Sequence, residues 1–366
     1  MKNELDMEKL DRYMQREKIN PEGLIWYDPA EEENFKVEGL YWFPKEKRYH
    51  RFPEKLSPAH NEKVVTLARC TAGAQIRFRT DSCRIVVSAK NPDSRSGITM
   101  TDVARRGFDL YTGTPGKESF WNSVRPVQNE ESYVGEVFSV KEKKMREFRL
   151  NFPLYCGVDE LSIALEEGAQ LLPPTALAVK RPVVIYGTSI TQGGCASRPG
   201  MAFTNILSRL LQAEFLNFGF SGNGVNDPET AELISTIEDP ALFIIDSEAN
   251  SISAQLVKER VPRFLDILRS RHPEIPILIV TKCPYGPRYA QEIPILKEEF
   301  REIFLERKAA GERNIFFFDG TNFWDPEDTE NNVDGAHPTD RGFAFMAEKL
   351  EPVIRELLVK YGNLPS

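Results

Sequence analysis

The spacing of apolar side chains divides the chain into two parts. In the first, from residue 64 to residue 166, short runs alternate apolar with polar residues, as where Ile76 and Phe78 alternate with Arg77 and Arg79. A repeat of two residues places one face of a strand in a core and the other in water. Turn-forming proline, glycine and asparagine residues separate these runs. The pattern therefore predicts an antiparallel β-sandwich.

The pattern changes after residue 180, where short apolar runs alternate with longer amphipathic segments. The predicted strands are 183–186, 214–218, 241–246, 275–281 and 314–318, and the predicted helices lie near 201–213, 228–237, 253–270, 293–309 and 340–361. Strands and helices in alternation favour a parallel sheet with helices packed against it. The second part is therefore predicted to be an α/β domain.

A proline-containing segment separates the two patterns. Residues 168–180 include Pro173-Pro174, which is typical of a domain junction. We predict an N-terminal helical extension at 1–20, a β-sandwich domain at 21–172 and an α/β domain at 180–366. The total length of 366 residues agrees better with two domains than with a single core.

Composition argues against several classes of function. The net charge is −8 and there is no basic block of the kind that binds a nucleic-acid backbone, so we expect no nucleic-acid partner. No apolar run reaches the roughly 18 residues of a membrane span, so we expect no membrane partner. The five cysteines are scattered without Cys-x-x-Cys spacing, and the N-terminus lacks the apolar segment of a secretory signal. These features predict a cytoplasmic location.

The first strand of the α/β part leads directly to a serine. Val183, Val184 and Ile185 form the strand, Gly187 breaks it, and Ser189 follows. In open parallel sheets, ligands bind just beyond the carboxyl ends of the strands. Ser189 is therefore a candidate nucleophile, although serines at such positions also commonly serve as turn or helix-cap residues.

A nucleophilic serine needs a base, and the base needs a group that orients it. Among the four histidines, His50 and His60 lie in a proline-rich N-terminal region, and His272 ends a predicted helix. His337 stands apart, because Asp334 precedes it by three residues in a glycine-containing turn before the last helix. We therefore predict His337 as the base and Asp334 as its orienting acid. The alternative is a turn-capping aspartate beside a surface histidine.

Two further loops follow strands at the same predicted sheet edge and contain hydrogen-bond donors. Gly222 lies in the loop 217–224, and Asn250 lies in the loop 246–250. A glycine lets its backbone N–H approach a substrate, and an asparagine amide donates a neutral hydrogen bond. With the N–H of Ser189, they are candidate donors of an oxyanion hole. On its own, each is better explained as an ordinary turn residue.

Cofactor and metal sites are disfavoured. The glycines at 219, 222 and 224 follow a strand, but their order is Gly-x-x-Gly-x-Gly, whereas a dinucleotide-binding loop requires Gly-x-Gly-x-x-Gly. The sequence contains no Walker A loop, no His-Glu-x-x-His motif and no zinc-type spacing of cysteine and histidine. We predict neither a cofactor nor a metal.

Four sequence blocks together resemble those of the SGNH (GDSL-type) hydrolases. In chain order they are Gly-Thr-Ser-Ile-Thr-Gln-Gly, Asn-Phe-Gly-Phe-Ser-Gly-Asn-Gly, Asp-Ser-Glu-Ala-Asn and Asp-Gly-Ala-His-Pro, and the resemblance covers roughly residues 180–360. Upstream, Gly-Phe-Asp-Leu-Tyr at 107–111 resembles the Gly-x-Asp-Leu-Tyr signature of the β-sandwich domain that precedes some members. The resemblance implies a three-layer, flavodoxin-like SGNH domain with a parallel sheet, preceded by an all-β, jelly-roll-like sandwich.

The resemblance also implies roles for the site residues. Ser189 would be the nucleophile, His337 the base and Asp334 its partner, while Gly222, Asn250 and the Ser189 N–H would form the oxyanion hole. Two blocks depart from the common pattern: Gly-Thr-Ser replaces Gly-Asp-Ser, and Asp-Ser-Glu-Ala-Asn replaces the Asp-Cys-x-Pro-Asn of related chains. The second departure brings an acidic residue into the loop that aims Asn250. The α/β-hydrolase fold matches less well, since its nucleophile motif is Gly-x-Ser-x-Gly.

The resulting prediction is a serine esterase that hydrolyses carboxylic esters through an acyl-enzyme. Short acyl esters, including acetylated carbohydrates, are the expected substrates, so the expected partner is a small-molecule or carbohydrate ester. Two alternatives remain: an acyltransferase that uses the same three side chains, and a catalytically silent protein whose sandwich domain binds carbohydrate. The sequence leaves the oligomeric state open, a homo-oligomer included.

Overall fold

The computed structural model describes residues 19–95 and 99–365, and the predicted helical extension at 1–20 lies almost wholly outside these ranges. Within them, the first part of the chain forms two antiparallel sheets that share one apolar core. One sheet has the order β1-β9-β4-β7, and the other has the order β10-β3-β8-β5-β6 with β2 paired to β3. The strands are β1 (Leu24–Tyr27), β2 (Lys36–Glu38), β3 (Gln75–Thr80), β4 (Arg84–Lys90), β5 (Phe108–Thr112), β6 (Ser119–Val124), β7 (Ser132–Ser139), β8 (Arg146–Asn151), β9 (Glu160–Glu166) and β10 (Leu171–Leu172).

The second part builds a parallel sheet, of five strands within the described residues. These strands are β11 (Val183–Gly187), β12 (Phe215–Gly219), β13 (Leu242–Asp246), β14 (Ile277–Val280) and β15 (Ile315–Phe318). Their order, β12-β11-β13-β14-β15, is the 2-1-3-4-5 order of flavodoxin-like folds. The strand order reverses beside β11, and ligands bind at the carboxyl ends of strands at such a switch point. The fold class predicted from the sequence is confirmed.

Helices cover both faces of the parallel sheet. The α-helices of both halves, in the described residues, are α1 (Phe43–Glu46), α2 (Glu62–Ala68), α3 (Asp102–Arg106), α4 (Ser189–Gln192), α5 (Phe203–Leu211), α6 (Pro228–Ile234), α7 (Ala254–Arg271), α8 (Pro287–Glu292), α9 (Lys297–Ala309) and α10 (Asp340–Lys360). Alternate residues of β11 point to opposite sides, so Val183 and Ile185 pack with α5 and α10, whereas Val184 and Tyr186 pack with α6, α7 and α9. Throughout the described ranges, no helix has the length and apolar character that crossing a bilayer would require.

Short helices also occur where the sequence pattern indicated strands or loops. α2 and α3 lie within or at the edge of the segment whose pattern predicted strands, and α8 precedes the helix predicted near 293–309. Asn61 caps α2 and Thr101 caps α3, since each side chain accepts a backbone N–H of the first turn. Helices of this length depend on caps and tertiary packing rather than on an apolar repeat, which explains why the pattern did not reveal them.

The polar face of the sandwich is buried, whereas the sequence pattern predicted that it would be exposed to water. Alternation in β3 and β8 predicted a face in water, but Arg77 and Arg149 are each only 1% exposed. The α/β domain covers this face: Arg149 donates a hydrogen bond to Ser208 Oγ in α5 at 2.9 Å, and Gln75 donates to the same oxygen at 3.4 Å. Arg149 is neutralised by Glu118 at 2.7 Å. Alternation therefore identified the residues that share a face, but not what covers that face.

A second polar contact joins the domains through the Gly-x-Asp-Leu-Tyr motif at 107–111. Asp109 is fully buried, and its Oδ2 accepts hydrogen bonds from Arg198 Nη1 at 2.7 Å and from the Gly200 N–H at 2.8 Å. The Tyr111 hydroxyl oxygen accepts from the same arginine nitrogen at 2.6 Å. Arg198 and Gly200 belong to the segment that follows α4. The sandwich domain thus holds the chain that leads away from the predicted nucleophile.

Replacing the motif aspartate tests how strongly this contact stabilises the protein. We expect Asp109→Asn to lower the free energy of unfolding by about 3 kcal/mol, because a buried ion pair loses one charge while its hydrogen-bonding neighbours remain in place. Asp328→Asn, which breaks the exposed pair with Arg341, is the control and should have a much smaller effect. Denaturant titration measures both. Equal losses in the two variants would contradict a special role for the buried contact.

Candidate active site

The candidate nucleophile lies at the start of a one-turn helix. β11 ends at Gly187, and Thr188 caps α4 by accepting the backbone N–H of Ile190 at 3.3 Å. Ser189 is therefore the first helical residue, a position whose backbone N–H has no partner within the helix. The residue is only 8% exposed. A serine hydroxyl and an unused N–H thus lie together at the carboxyl edge of the sheet.

The structure brings His337 to Ser189, 148 residues away in the chain. Ser189 Oγ lies 2.8 Å from His337 Nε2, and His337 Nδ1 lies 2.8 Å from Asp334 Oδ2. Asp334 Oδ1 accepts the backbone N–H groups of Ala336 and His337 at 3.0 and 2.9 Å. Gly335 makes this tight turn with a φ of +90°, a conformation that favours glycine. The three side chains suggested by the sequence form one continuous chain of hydrogen bonds.

Asp334 is held in its ionised form by this turn. Partial burial acts to raise the pKa of its carboxyl group, but hydrogen bonds from the His337 backbone, the His337 ring and the Ala336 backbone outweigh burial and keep the pKa below its usual range. A carboxylate opposite Nδ1 favours the tautomer that is protonated there, which leaves Nε2 to accept the serine hydroxyl. The electrostatics therefore suit a histidine that takes the proton of Ser189.

Gly222 lies in the loop after β12. Its φ is +66°, and a Cβ at this position would meet nothing within 4 Å. Glycine is therefore favoured here by the backbone conformation and not by crowding from neighbouring atoms. Its N–H has no acceptor among the described residues. Gln192 of α4 accepts the N–H of the adjacent Ser221 at 3.0 Å, so this loop is joined directly to the serine helix.

Asn250 lies in the loop after β13, in the turn Glu248–Asn250. Its Oδ1 accepts the Gly224 N–H at 3.3 Å, which leaves the amide nitrogen as the group available to donate. Gly224 packs directly on the serine loop, where an added Cβ would lie 2.0 Å from the Gly187 carbonyl oxygen. The loops after β11, β12 and β13 therefore meet at the switch point of the sheet.

The acidic residue of the altered third block is engaged elsewhere. Glu248 is 2% exposed, and its two carboxylate oxygens accept the backbone N–H groups of Lys282 and Leu296 at 2.9 and 3.0 Å. Both oxygens are thus bound by the segment between β14 and α9. The charge of Glu248 is therefore taken up by backbone donors of that segment, while the amide of Asn250 is oriented by Gly224.

Tyr155 is a residue of the sandwich half that the sequence analysis missed. Its hydroxyl donates a hydrogen bond to the Ser189 carbonyl oxygen at 3.1 Å. Burial raises the pKa of Tyr155, so the phenol stays protonated as a donor. Tyr155 stands in no motif, so a single sequence gives no signal that would have identified it.

Arg51 was missed for the same reason. It is 1% exposed and donates to the Asn217 and Gly219 carbonyls, at 3.2 and 2.6 Å, at the end of β12. It also donates to the carbonyls of Leu67 and Cys70, at 2.5 and 2.8 Å, and no carboxylate of the described residues pairs with it. Burial lowers its pKa to about 10, so it remains charged at neutral pH. A charged guanidinium thus fixes the strand end from which the Gly222 loop leaves.

One segment links the serine side of the site to the histidine side. The Ser197 N–H donates to Asp340 Oδ1 at 2.8 Å, and the Ser197 hydroxyl donates to Asp340 Oδ2. Asp340 is the first residue of α10 and lies three residues beyond His337. The same segment contains Arg198, which Asp109 holds. The two halves of the site therefore share one anchored connection.

A buried acid lies beneath the serine helix. Asp246 ends β13, is 3% exposed, and accepts a hydrogen bond from Thr191 Oγ1 at 2.7 Å. Burial raises the pKa of Asp246 to about 7, and the hydrogen bond from Thr191 opposes that rise. Thr191 Oγ1 in turn accepts the Thr188 N–H at 3.2 Å. Asp246 therefore positions the cap of α4 rather than contacting the serine itself.

Comparison with protein families matches both halves of the chain. Residues 180–355 match the GDSL-like lipase/acylhydrolase family, and residues 24–171 match the GxDLY family, which is described as the N-terminus of SGNH-hydrolase-type esterases. The two matches follow the order in which the motifs occur along the sequence. No curated protein matches the chain.

Solved structures share the two-part architecture. A protein from Bacteroides ovatus named for its likeness to GDSL lipases is 29% identical, with a TM-score of 0.83 over 92% of this chain and 98% of that chain. The salicylyl-acyltransferase SsfX3 from a tetracycline biosynthetic pathway is 20% identical, with a TM-score of 0.72 over 94% and 99% of the two chains. A family two carbohydrate esterase from Cellvibrio japonicus is 15% identical, with a TM-score of 0.60 over 92% and 98%. The last two similarities concern the fold alone.

The buried acid beneath α4 predicts a specific pH dependence of stability. Because folding raises the pKa of Asp246 to about 7, the folded state binds this proton more tightly than the unfolded chain does. The contribution of Asp246 to the free energy of unfolding is therefore greatest below the ordinary carboxyl pKa and falls as pH rises towards the folded value. Asp246→Asn cannot titrate, so it removes this pH-dependent loss of stability while it keeps an acceptor for Thr191. We expect the Tm of the variant relative to the parent to rise from about pH 5 to about pH 8.

Asp319→Asn is the matched control, because the pKa of the Asp319 carboxyl is lowered in the folded protein. Both its folded and unfolded pKa values lie below this range, so the Tm difference of this variant from the parent should stay constant across it. Thermal melts at several pH values measure both variants. A constant difference for Asp246→Asn would show that the buried acid does not titrate in this range.

Proposed function

The chain belongs to the GDSL-like lipase/acylhydrolase family, with the GxDLY domain of SGNH-type esterases in front, and on this basis we propose that it hydrolyses short-chain carboxylic esters through an acyl-enzyme on Ser189. Family membership makes it an ester-hydrolysing serine hydrolase, and the assignment of individual residues is our proposal. The observation that carries it is the chain of hydrogen bonds from Ser189 Oγ through His337 to Asp334.

In the proposed mechanism, Ser189 Oγ attacks the ester carbonyl carbon while His337 Nε2 takes the hydroxyl proton. The tetrahedral intermediate collapses as the imidazolium returns that proton to the leaving alcohol, and the acyl group stays on the serine. Water then enters, His337 takes its proton, and a second collapse releases the acid and restores Ser189. Asp334 keeps the imidazole in one tautomer and stabilises its charged form.

Three donors would stabilise the oxyanion: the N–H groups of Ser189 and Gly222 and the amide nitrogen of Asn250. Two of these are backbone groups held by the contacts of α4 and the Gly222 loop, and the third is oriented by the Gly224 N–H. Donors fixed before the reaction need no rearrangement as charge develops. Removing one such donor typically costs roughly 3 kcal/mol of transition-state stabilisation.

A small apolar cavity supports the proposal of a short acyl group. The cavity measures about 160 Å³, and its walls include Pro284, Tyr285, Ile295 and Pro326. It lies beside the turn of the candidate acid and base, since the backbone N–H of residue 286, the next along from Tyr285, donates to the carbonyl of residue 335 at 2.7 Å. Its volume suits a few carbon atoms rather than a long chain. We assign it to the acyl part of the substrate.

The alcohol part of the ester is proposed more broadly. Similarity of fold to carbohydrate esterases makes sugars the first alcohol partners to examine, in the form of their acetyl esters. Similarity of fold to an acyltransferase makes added alcohols a useful control, because transfer would divert product from the free acid. We also propose a cytoplasmic location, for which the support is the set of free cysteines, Cys70, Cys83, Cys156, Cys195 and Cys283.

Replacing the nucleophile tests the proposal directly. We expect Ser189→Ala to reduce kcat by roughly 10⁴-fold or more on short aryl esters and acetylated sugars, because no nucleophile then forms the acyl-enzyme. Ser253→Ala is the control, since that hydroxyl caps α7 and, in the described part of the chain, has no histidine partner. Initial rates over a series of acyl lengths give both results, with the parent preferring the shortest. Undiminished cleavage by Ser189→Ala would remove this serine from the mechanism.

Replacing the side-chain donor tests the least regular part of the site. We expect Asn250→Ala to lower kcat by roughly 10²–10³-fold with little change in KM, because the lost hydrogen bond forms fully only in the transition state. Asn322→Ala is the control, an exposed asparagine just beyond β15. Steady-state kinetics on one aryl ester separate kcat from KM. A change in KM alone would indicate that Asn250 binds substrate without stabilising the oxyanion.

A further inference from the structure

A buried thiol lies against the candidate acid–base pair. Cys195 is 8% exposed, and it belongs to the segment that follows α4. An added Cβ on the preceding residue, Gly194, would lie 3.2 Å from His337 Cδ2, so this segment packs on the imidazole ring. Cys195 Sγ, a carboxylate oxygen of Asp334 and a ring nitrogen of His337 all lie within 4.8 Å of one another. Three different types of metal-ligating group are thus brought together from two distant segments.

Of the two ring nitrogens of His337, Nδ1 is the one that faces the Asp334 carboxylate. His337 Nδ1 lies 2.8 Å from Asp334 Oδ2, whereas Nε2 lies 2.8 Å from Ser189 Oγ. A metal held between the thiol and the carboxylate would therefore take the place of the proton that Nδ1 shares with Asp334. The side chains of His337 and Asp334 are 30% and 29% exposed, so an ion can approach from solvent.

The donor set fits one class of ion. Thiolate, imidazole and carboxylate are the protein ligands of Zn²⁺, which accepts three protein groups with water in a fourth, tetrahedral position. Harder ions such as Mg²⁺ prefer oxygen ligands and are disfavoured by the thiol. Cys195 also adopts a φ of +74°, a left-handed conformation that is costly for a residue with a side chain. In this conformation the thiol lies beside the pair, with Sγ 3.3 Å from Thr99 Oγ1.

We propose that Cys195, Asp334 and His337 form an inhibitory Zn²⁺ site that competes with catalysis; the regulatory consequence rests on the proposed function of the same acid–base pair. Binding releases the Cys195 thiol proton to solvent and moves the single ring proton of neutral His337 from Nδ1 to Nε2, with no change of oxidation state. The metal then occupies the position of the Nδ1 proton, and the imidazole no longer has Asp334 as its hydrogen-bonding partner. His337 loses its role as a base while the zinc ion is bound.

Zinc inhibition of ester cleavage tests the regulatory part. The purified full chain is first stripped with a chelator, and each variant is compared with its own rate in the absence of zinc. We expect Cys195→Ser to require roughly 10-fold more Zn²⁺ or more for half inhibition than the parent, because even changes outside the ligand sphere alter metal affinity 10–100-fold. Cys83→Ser, which removes a half-buried thiol of the sandwich domain, should match the parent. Equal zinc sensitivity of Cys195→Ser and the parent would overturn the proposal.

Cobalt absorption tests the metal site without any enzyme activity. Co²⁺ is a spectroscopic substitute for Zn²⁺ and gives a near-ultraviolet charge-transfer band when a thiolate binds it. We expect this band in the parent and in Ser189→Ala, and its loss in Cys195→Ser. A parent without the band refutes the metal site. A parent that has the band but cleaves no ester supports the metal site and instead refutes the proposed function.

Discussion

The hydrogen bond between Ser189 Oγ and His337 Nε2 joins groups that are 148 residues apart in the chain and 2.8 Å apart in space. Neither partner could hold this position alone. The serine is fixed by the end of β11 and the cap of a one-turn helix, and the imidazole by a turn in which Asp334 binds two backbone N–H groups. The meeting point follows from the strand order, because the order of the strands reverses beside β11 and all the parallel strands end at one edge of the sheet.

The sandwich domain contributes to this arrangement through polar contacts. Asp109 holds the segment after the serine helix, and Tyr155 donates to the Ser189 carbonyl. Arg51 inserts a charged guanidinium among carbonyls at the end of β12 without a carboxylate partner in the described part of the chain. Such buried polar groups are costly unless every donor and acceptor is matched, so they restrict the domains to one relative orientation. The first half of the chain is therefore part of the support of the site.

The environments of Asp334, the candidate acid, and of Asp246, the buried acid below the serine helix, shift their pKa values in opposite directions. Asp334 receives three hydrogen bonds and has a lowered pKa, whereas Asp246 is enclosed with one hydroxyl donor and has a pKa raised to about 7. Two aspartates near one serine helix thus have opposite pKa shifts, and Asp334 is the one that is hydrogen-bonded to the His337 ring. The same turn that lowers the pKa of Asp334 also places it beside the Cys195 thiol, so the proposed acid–base pair and the proposed metal ligands share Asp334 and His337.

The sequence alone determined the fold class, because periods of two and of about 3.6 residues, turn residues and strand order along the chain are local properties. It also indicated Ser189, Asp334, His337, Gly222 and Asn250 as candidates, since each lies in a short block just after a predicted strand or before a predicted helix. Only the tertiary structure revealed that the polar face of β3 and β8 is buried, that Tyr155 and Cys195 lie beside the candidate site, and that Arg51 binds the strand end from which the Gly222 loop leaves. These contacts join segments far apart in the chain, and no local pattern of residues encodes the surface that another domain will cover.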